Sequence, residues 1–78
     1  MSENEILDWL KMGSYMKIFM TCMETPRSAK EIGTLTGMQP SEVAEKLETM
    51  QRTKVCEFSE GKWKATSVAI EVFRKYFT

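Results

Sequence analysis

Cys22 and Cys56 are the side chains best suited to covalent or metal chemistry, and their setting favours neither. They lie far apart in the sequence and belong to no CxxC pair. The chain has no histidine to complete a zinc site or to act as a general base. Each cysteine sits among apolar residues, the usual surroundings of a buried free thiol, with a disulfide between them as the alternative. The four glycines form neither a GxGxxG nor a Walker loop to cradle phosphate. No nucleophile is paired with a base, so the sequence predicts no enzymatic activity, no metal centre and no cofactor.

The remaining polar residues must be placed by the elements that carry them. Ser2-Glu3-Asn4-Glu5 has the S-x-x-E form of a capping box and precedes Ile6, Leu7 and Leu10 at helical spacing, which predicts an N-terminal helix within residues 1–13. Gly13-Ser14 breaks or kinks it. Tyr15, Ile18, Phe19, Cys22 and Met23 then form an amphipathic stripe over 14–25, ended by Thr25-Pro26. The Met-rich run Met12, Met16, Met20 and Met23 reads as flexible core filler.

A second capping box, Ser28-Ala29-Lys30-Glu31, opens a short helix expected to bury Ala29, Ile32 and Leu35. Gly37 supplies a left-handed stop, and Pro40 fits the first turn of the next helix. Val43, Leu47 and Met50 form that helix's inward stripe, while Glu42–Lys46 and Glu48–Arg52 are i,i+4 pairs in the favourable order. Val55-Cys56-Glu57-Phe58, Ser59-Glu60-Gly61 and Lys62-Trp63-Lys64-Ala65 read as strand, loop and return strand within 54–66. Thr66 or Ser67 caps a last helix over 67–77 that carries Ala69, Ile70, Phe73, Tyr76 and Phe77. Trp63 is expected to pack against that helix near Ile70 or Phe73.

Ser28 to Met38, followed by Pro40 to Met50, resembles the two helices and glycine turn of a helix-turn-helix over 28–52. With the hairpin and last helix added, residues 15–77 resemble the winged-helix regulators of the MarR-like and ArsR-like kind. The resemblance implies a mainly α domain with a two-stranded β wing, a winged helix-turn-helix. It also implies a small transcriptional regulator that binds double-stranded DNA in a sequence-specific way. The second motif helix would enter the major groove, with Ser41, Glu45, Lys46, Thr49 and Arg52 among its outward positions. Strand alternation aims Lys62 and Lys64 together, and the resemblance makes them wing contacts to phosphate. The metal-responsive relatives use clustered ligands, whereas Cys22 and Cys56 stand singly.

Composition bounds these readings. Seventy-eight residues, 42% hydrophobic and 28% charged, make one small globular domain. No apolar run approaches the ~18 residues of a membrane span and no charged-then-apolar leader opens the chain, which predicts a soluble cytoplasmic protein without a membrane partner. Formal net charge is zero, and Glu42, Glu45 and Glu48 lie on the helix meant for the groove, where carboxylates repel phosphate. Residues 27–78 nonetheless carry nine basic and seven acidic groups. A winged-helix module that binds protein instead of DNA is the alternative function. The terminal helices offer more large apolar side chains than so short a core needs, so Ile6, Leu10, Phe73 and Phe77 are expected at a homodimer contact.

Overall fold

A computed structural model describes residues 3–77. Among the described residues, five helices and one hairpin follow in order: α1 (Glu3–Leu10), α2 (Gly13–Met23), α3 (Ala29–Thr36), α4 (Pro40–Arg52), β1 (Cys56–Ser59), β2 (Lys62–Ala65) and α5 (Ser67–Phe77). The chain is therefore mainly helical with a two-stranded antiparallel sheet. No helix among the described residues is long and apolar enough to cross a membrane. The capping box expected at Ser2 falls partly outside the described residues.

The helix ends follow from local chemistry. Ser28 Oγ accepts the Glu31 N–H at 3.1 Å and Glu31 Oε1 accepts the Ser28 N–H at 2.9 Å, which completes the capping box of α3. Gly37, at φ 73°, closes α3 by donating its N–H to the Gly33 carbonyl. α4 ends in a Schellman arrangement without a glycine. Lys54 takes φ 65°, its N–H reaches the Gln51 carbonyl at 3.1 Å, and the Val55 N–H reaches that of Met50 at 2.8 Å. Thr66 caps α5: its Oγ1 accepts the Ala69 N–H at 3.2 Å and donates to the Lys54 carbonyl at 2.7 Å. One hydroxyl thus joins the end of α4 to the start of α5.

Ile6, Leu10, Ile18, Phe19, Ile32, Val43, Leu47, Met50, Val55 and Ala69 form a continuous core, with Phe19 and Phe73 rings 5.5 Å apart. The α3–α4 turn folds back closely on Gly33, where an added Cβ would lie 3.3 Å from the Met38 carbonyl oxygen, while Val43 of α4 is at ordinary contact distance. Leu35, expected inside, is 56% exposed. The buried stripe of α3 runs through Ile32 and Gly33, and Leu35 lies roughly 110° round the helix from it at about 100° per residue. The methionines divide as well. Met16 and Met23 pack on the core, while Met12 and Met20 are exposed.

Cys56 pairs with Ala65, Glu57 with Lys64, Phe58 with Trp63 and Ser59 with Lys62. The turn is therefore the two residues Glu60 and Gly61, both at positive φ (54° and 78°), the conformation whose twist matches a tight hairpin. Cys56, Phe58, Trp63 and Ala65 share one face, with Glu57, Ser59, Lys62 and Lys64 on the other. The inner face is buried at its base and opens toward the tip.

Candidate functional site

α4 presents the residues opposite its buried Val43–Leu47–Met50 stripe, and these are Ser41, Glu45, Glu48 and Arg52. Ser41 and Glu45 are exposed. Lys46, expected to face outward with them, is turned aside. Its Nζ lies 5.2 Å from the centre of the Tyr15 ring and 3.9 Å from Glu42 Oε2, with only 20% of the side chain exposed. The ammonium is thus shared between the Tyr15 ring of α2 and the Glu42 carboxylate. Thr49 Oγ1 donates to the Glu45 carbonyl at 3.3 Å, and Arg52 reaches Thr49 Oγ1 with Nη2 at 3.4 Å instead of forming the expected pair with Glu48. Ser41, Glu45 and Arg52 remain together on the outward line.

On the hairpin, Lys62 and Lys64 share the outer face as alternation requires, and with Pro26, Ser59 and Glu60 they line a shallow polar depression. Lys64 Nζ lies 3.3 Å from Glu57 Oε1 across the strands, with both side chains half exposed. So exposed a pair holds the lysine only weakly. Lys62 also helps Arg27 hold the Glu31 carboxyl below its ordinary range, behind the larger effect of the Ser28 N–H.

Trp63, expected near Ile70 or Phe73, is found at the hairpin face beside α3 and α4. Its backbone is bridged to Arg27, and its ring lies 4.9 Å from that of Phe58. With Ala29, Ser41, Ala44, Glu45, Leu47 and Glu48, the indole lines a mostly apolar cleft of about 530 Å³ between the hairpin and α4. The bridge to the segment before α3 turns this face of the hairpin toward α3 and α4. Two isolated positions carry no alternation pattern, so the bridge had no sequence signal.

The dimer contact expected of Ile6, Leu10, Phe73 and Phe77 is largely used up within one chain. Ile6 and Leu10 are fully buried and Phe73 nearly so, all in the protomer's own core. Phe77, 40% exposed and stacked on Phe73 at 5.6 Å, is the one of the four left at the surface. α1 and α5 pack on each other and on the core, which buries Ile6, Leu10 and Phe73, while Val68, Tyr76 and Phe77 of α5 stay exposed.

Cys22 and Cys56 are both buried free thiols with their sulfurs 3.8 Å apart. Cys22 Sγ also lies 3.4 Å from the Ile18 carbonyl oxygen. Hydrogen bonding from Cys56 lowers the Cys22 thiol below its usual range, whereas the same contact and burial raise that of Cys56. Among the described residues, no group of three or more cysteines and carboxylates is placed to hold a metal ion. No protein-family model matches the chain, and neither a curated protein nor a solved structure matches it.

Proposed function

We propose that the chain is a winged helix-turn-helix domain that binds duplex DNA, with α4 as the groove helix and the β1–β2 hairpin as the wing. The observation that carries this reading is the joint placement of α3, α4 and the hairpin. The turn between α3 and α4 packs against Gly33, and the hairpin is bonded through Trp63 to Arg27, which leads into α3. An exposed helix face and a lysine-bearing hairpin are thereby held as one unit. Ser41 and Arg52 are the base-edge or phosphate contacts of α4, with Thr49 supporting Arg52; Glu45 accepts from a cytosine amino group; and Lys62 and Lys64 are the phosphate contacts of the wing. Lys46 serves the fold through Tyr15 and drops out of the contact set.

A second reading, a winged-helix module that binds protein, is favoured by one specific observation. The cleft beside α4 is apolar, is lined by Trp63, and carries Glu45 and Glu48. Such a surface suits an apolar side chain better than a phosphate. Titration of the chain into mixed-sequence duplex DNA at two salt concentrations separates the readings. Binding that weakens steeply with salt supports DNA, and no binding at low salt supports the protein module.

A further inference from the structure

We infer that Cys22 and Cys56 are a modification site: a dithiol that a peroxide converts to an intrachain disulfide, stapling α2 to the base of the hairpin. The geometry is the warrant. Cys22 lies on α2 and Cys56 opens β1, and their sulfurs are already in contact at 3.8 Å within the core. Bonding distance is about 2.05 Å, so the sulfurs must close by less than about 2 Å. Neither cysteine has another sulfur to pair with, because the chain has only these two.

The chemistry balances with hydrogen peroxide as the two-electron oxidant. The Cys22 sulfur, as thiolate, attacks one peroxide oxygen. The O–O bond breaks, Cys22 becomes a sulfenic acid, and the expelled hydroxide takes up the proton that the Cys22 thiol gave up and leaves as the first water. The Cys56 sulfur then attacks the Cys22 sulfur, forming the S–S bond and expelling the sulfenic hydroxyl, which departs as a second water with the Cys56 proton. Two thiols and one peroxide give one disulfide and two waters. Either sulfur can be the first to attack, because either thiol can donate the hydrogen bond between them and both lie in the same contact. Burial sets the rate through peroxide entry, while contact between the sulfurs sets the product.

The cysteines are 34 positions apart, and the loop between them contains α3 and α4 entire. Oxidation therefore cross-links the chain around the α3–α4 motif and fixes the hairpin base against α2, whatever ligand that surface takes. Loop closure of this size restricts the unfolded chain strongly.

The test uses the full chain, reduced, then exposed to hydrogen peroxide, quenched, denatured and alkylated with N-ethylmaleimide before intact-mass measurement. The expected product is a monomer two hydrogens lighter, without maleimide, restored by dithiothreitol and melting roughly 10 °C or more above the reduced chain. In Cys56→Ser the Cys22 sulfenic acid persists and is trapped by dimedone, while Cys22→Ser yields no intrachain product. Full maleimide labelling of both cysteines after oxidation overturns the inference. Disulfide-linked dimers, or an oxidised monomer that melts below the reduced one, also overturn it.

Discussion

Arg27 and Trp63 exchange both of their backbone hydrogen bonds, at 2.9 Å from the Arg27 N–H and 2.6 Å from the Trp63 N–H. This single antiparallel bridge lays the segment before α3 alongside β2, and the Arg27 side chain adds a bond from Nε to the Thr21 carbonyl at 3.0 Å near the end of α2. One residue thus connects α2, the start of α3 and the hairpin. It sets the direction in which Trp63 projects.

Trp63→Ala removes a half-buried indole that packs on Phe58 and lines the α4 cleft. A fully buried tryptophan would cost about 3–5 kcal/mol on truncation; partial exposure reduces this to about 2 kcal/mol. Urea unfolding of the variant measures the loss. A loss above about 4 kcal/mol would place the ring in the core instead of the cleft.

Leu10→Glu puts a carboxylate into the protomer core beside Ile6. Because Leu10 is buried within one chain, the variant loses stability by about 3 kcal/mol or more at any protein concentration. Phe77→Glu, at the exposed end of α5, stays folded. Thermal unfolding with sedimentation distinguishes the cases. A folded Leu10→Glu variant that merely changes association state would restore the dimer role of that residue.

Glu31 titrates below the ordinary carboxylate range because the Ser28 N–H bonds its charged form. A carboxyl whose folded pKa is depressed contributes stability above its unfolded value and loses it as pH falls through the folded value. Glu31→Gln keeps an acceptor for Ser28 but has no charge to protonate. Its stability therefore falls less steeply than that of the parent chain below the ordinary carboxylate range, as melting temperature against pH will show. Parallel curves for the two chains would remove Glu31 from the pH response.

Lys54 holds a left-handed φ of 65° where the end of α4 commonly has glycine. That conformation costs a side-chain-bearing residue about 1–2 kcal/mol, partly offset in glycine by the greater freedom of its unfolded chain. Lys54→Gly is expected to stabilise the fold by about 0.5–1 kcal/mol in urea unfolding. Destabilisation would mean that the lysine makes a compensating contact.

Much of this architecture was legible because it depends on local chemistry. The Ser28–Glu31 box, Gly37 and Pro40 each satisfy or remove a backbone group within one turn, and their positions followed from residue type alone. The break at Gly13 and the period of Ile18, Phe19 and Cys22 were equally plain. What the sequence concealed depends on three-dimensional neighbours. Lys54 does a glycine's task without being one. Leu35 matched a helical stripe too short to fix its phase. Lys46 fell near the outward face by counting, yet Tyr15 on another helix draws it aside. Ile6 and Leu10 looked surplus only because the packing of α1 on α5 is invisible in a linear chain.

The most direct measurement of the central claim is a fluorescence-anisotropy titration of the chain into labelled duplex DNA at about 50 and 200 mM salt, with Lys62→Ala/Lys64→Ala alongside. Binding to duplex DNA is expected to weaken with salt, with the slope of log K against log salt reduced by about two in the double variant. No binding by the folded chain at the lower salt would contradict the DNA reading and leave the Trp63 cleft as the functional surface.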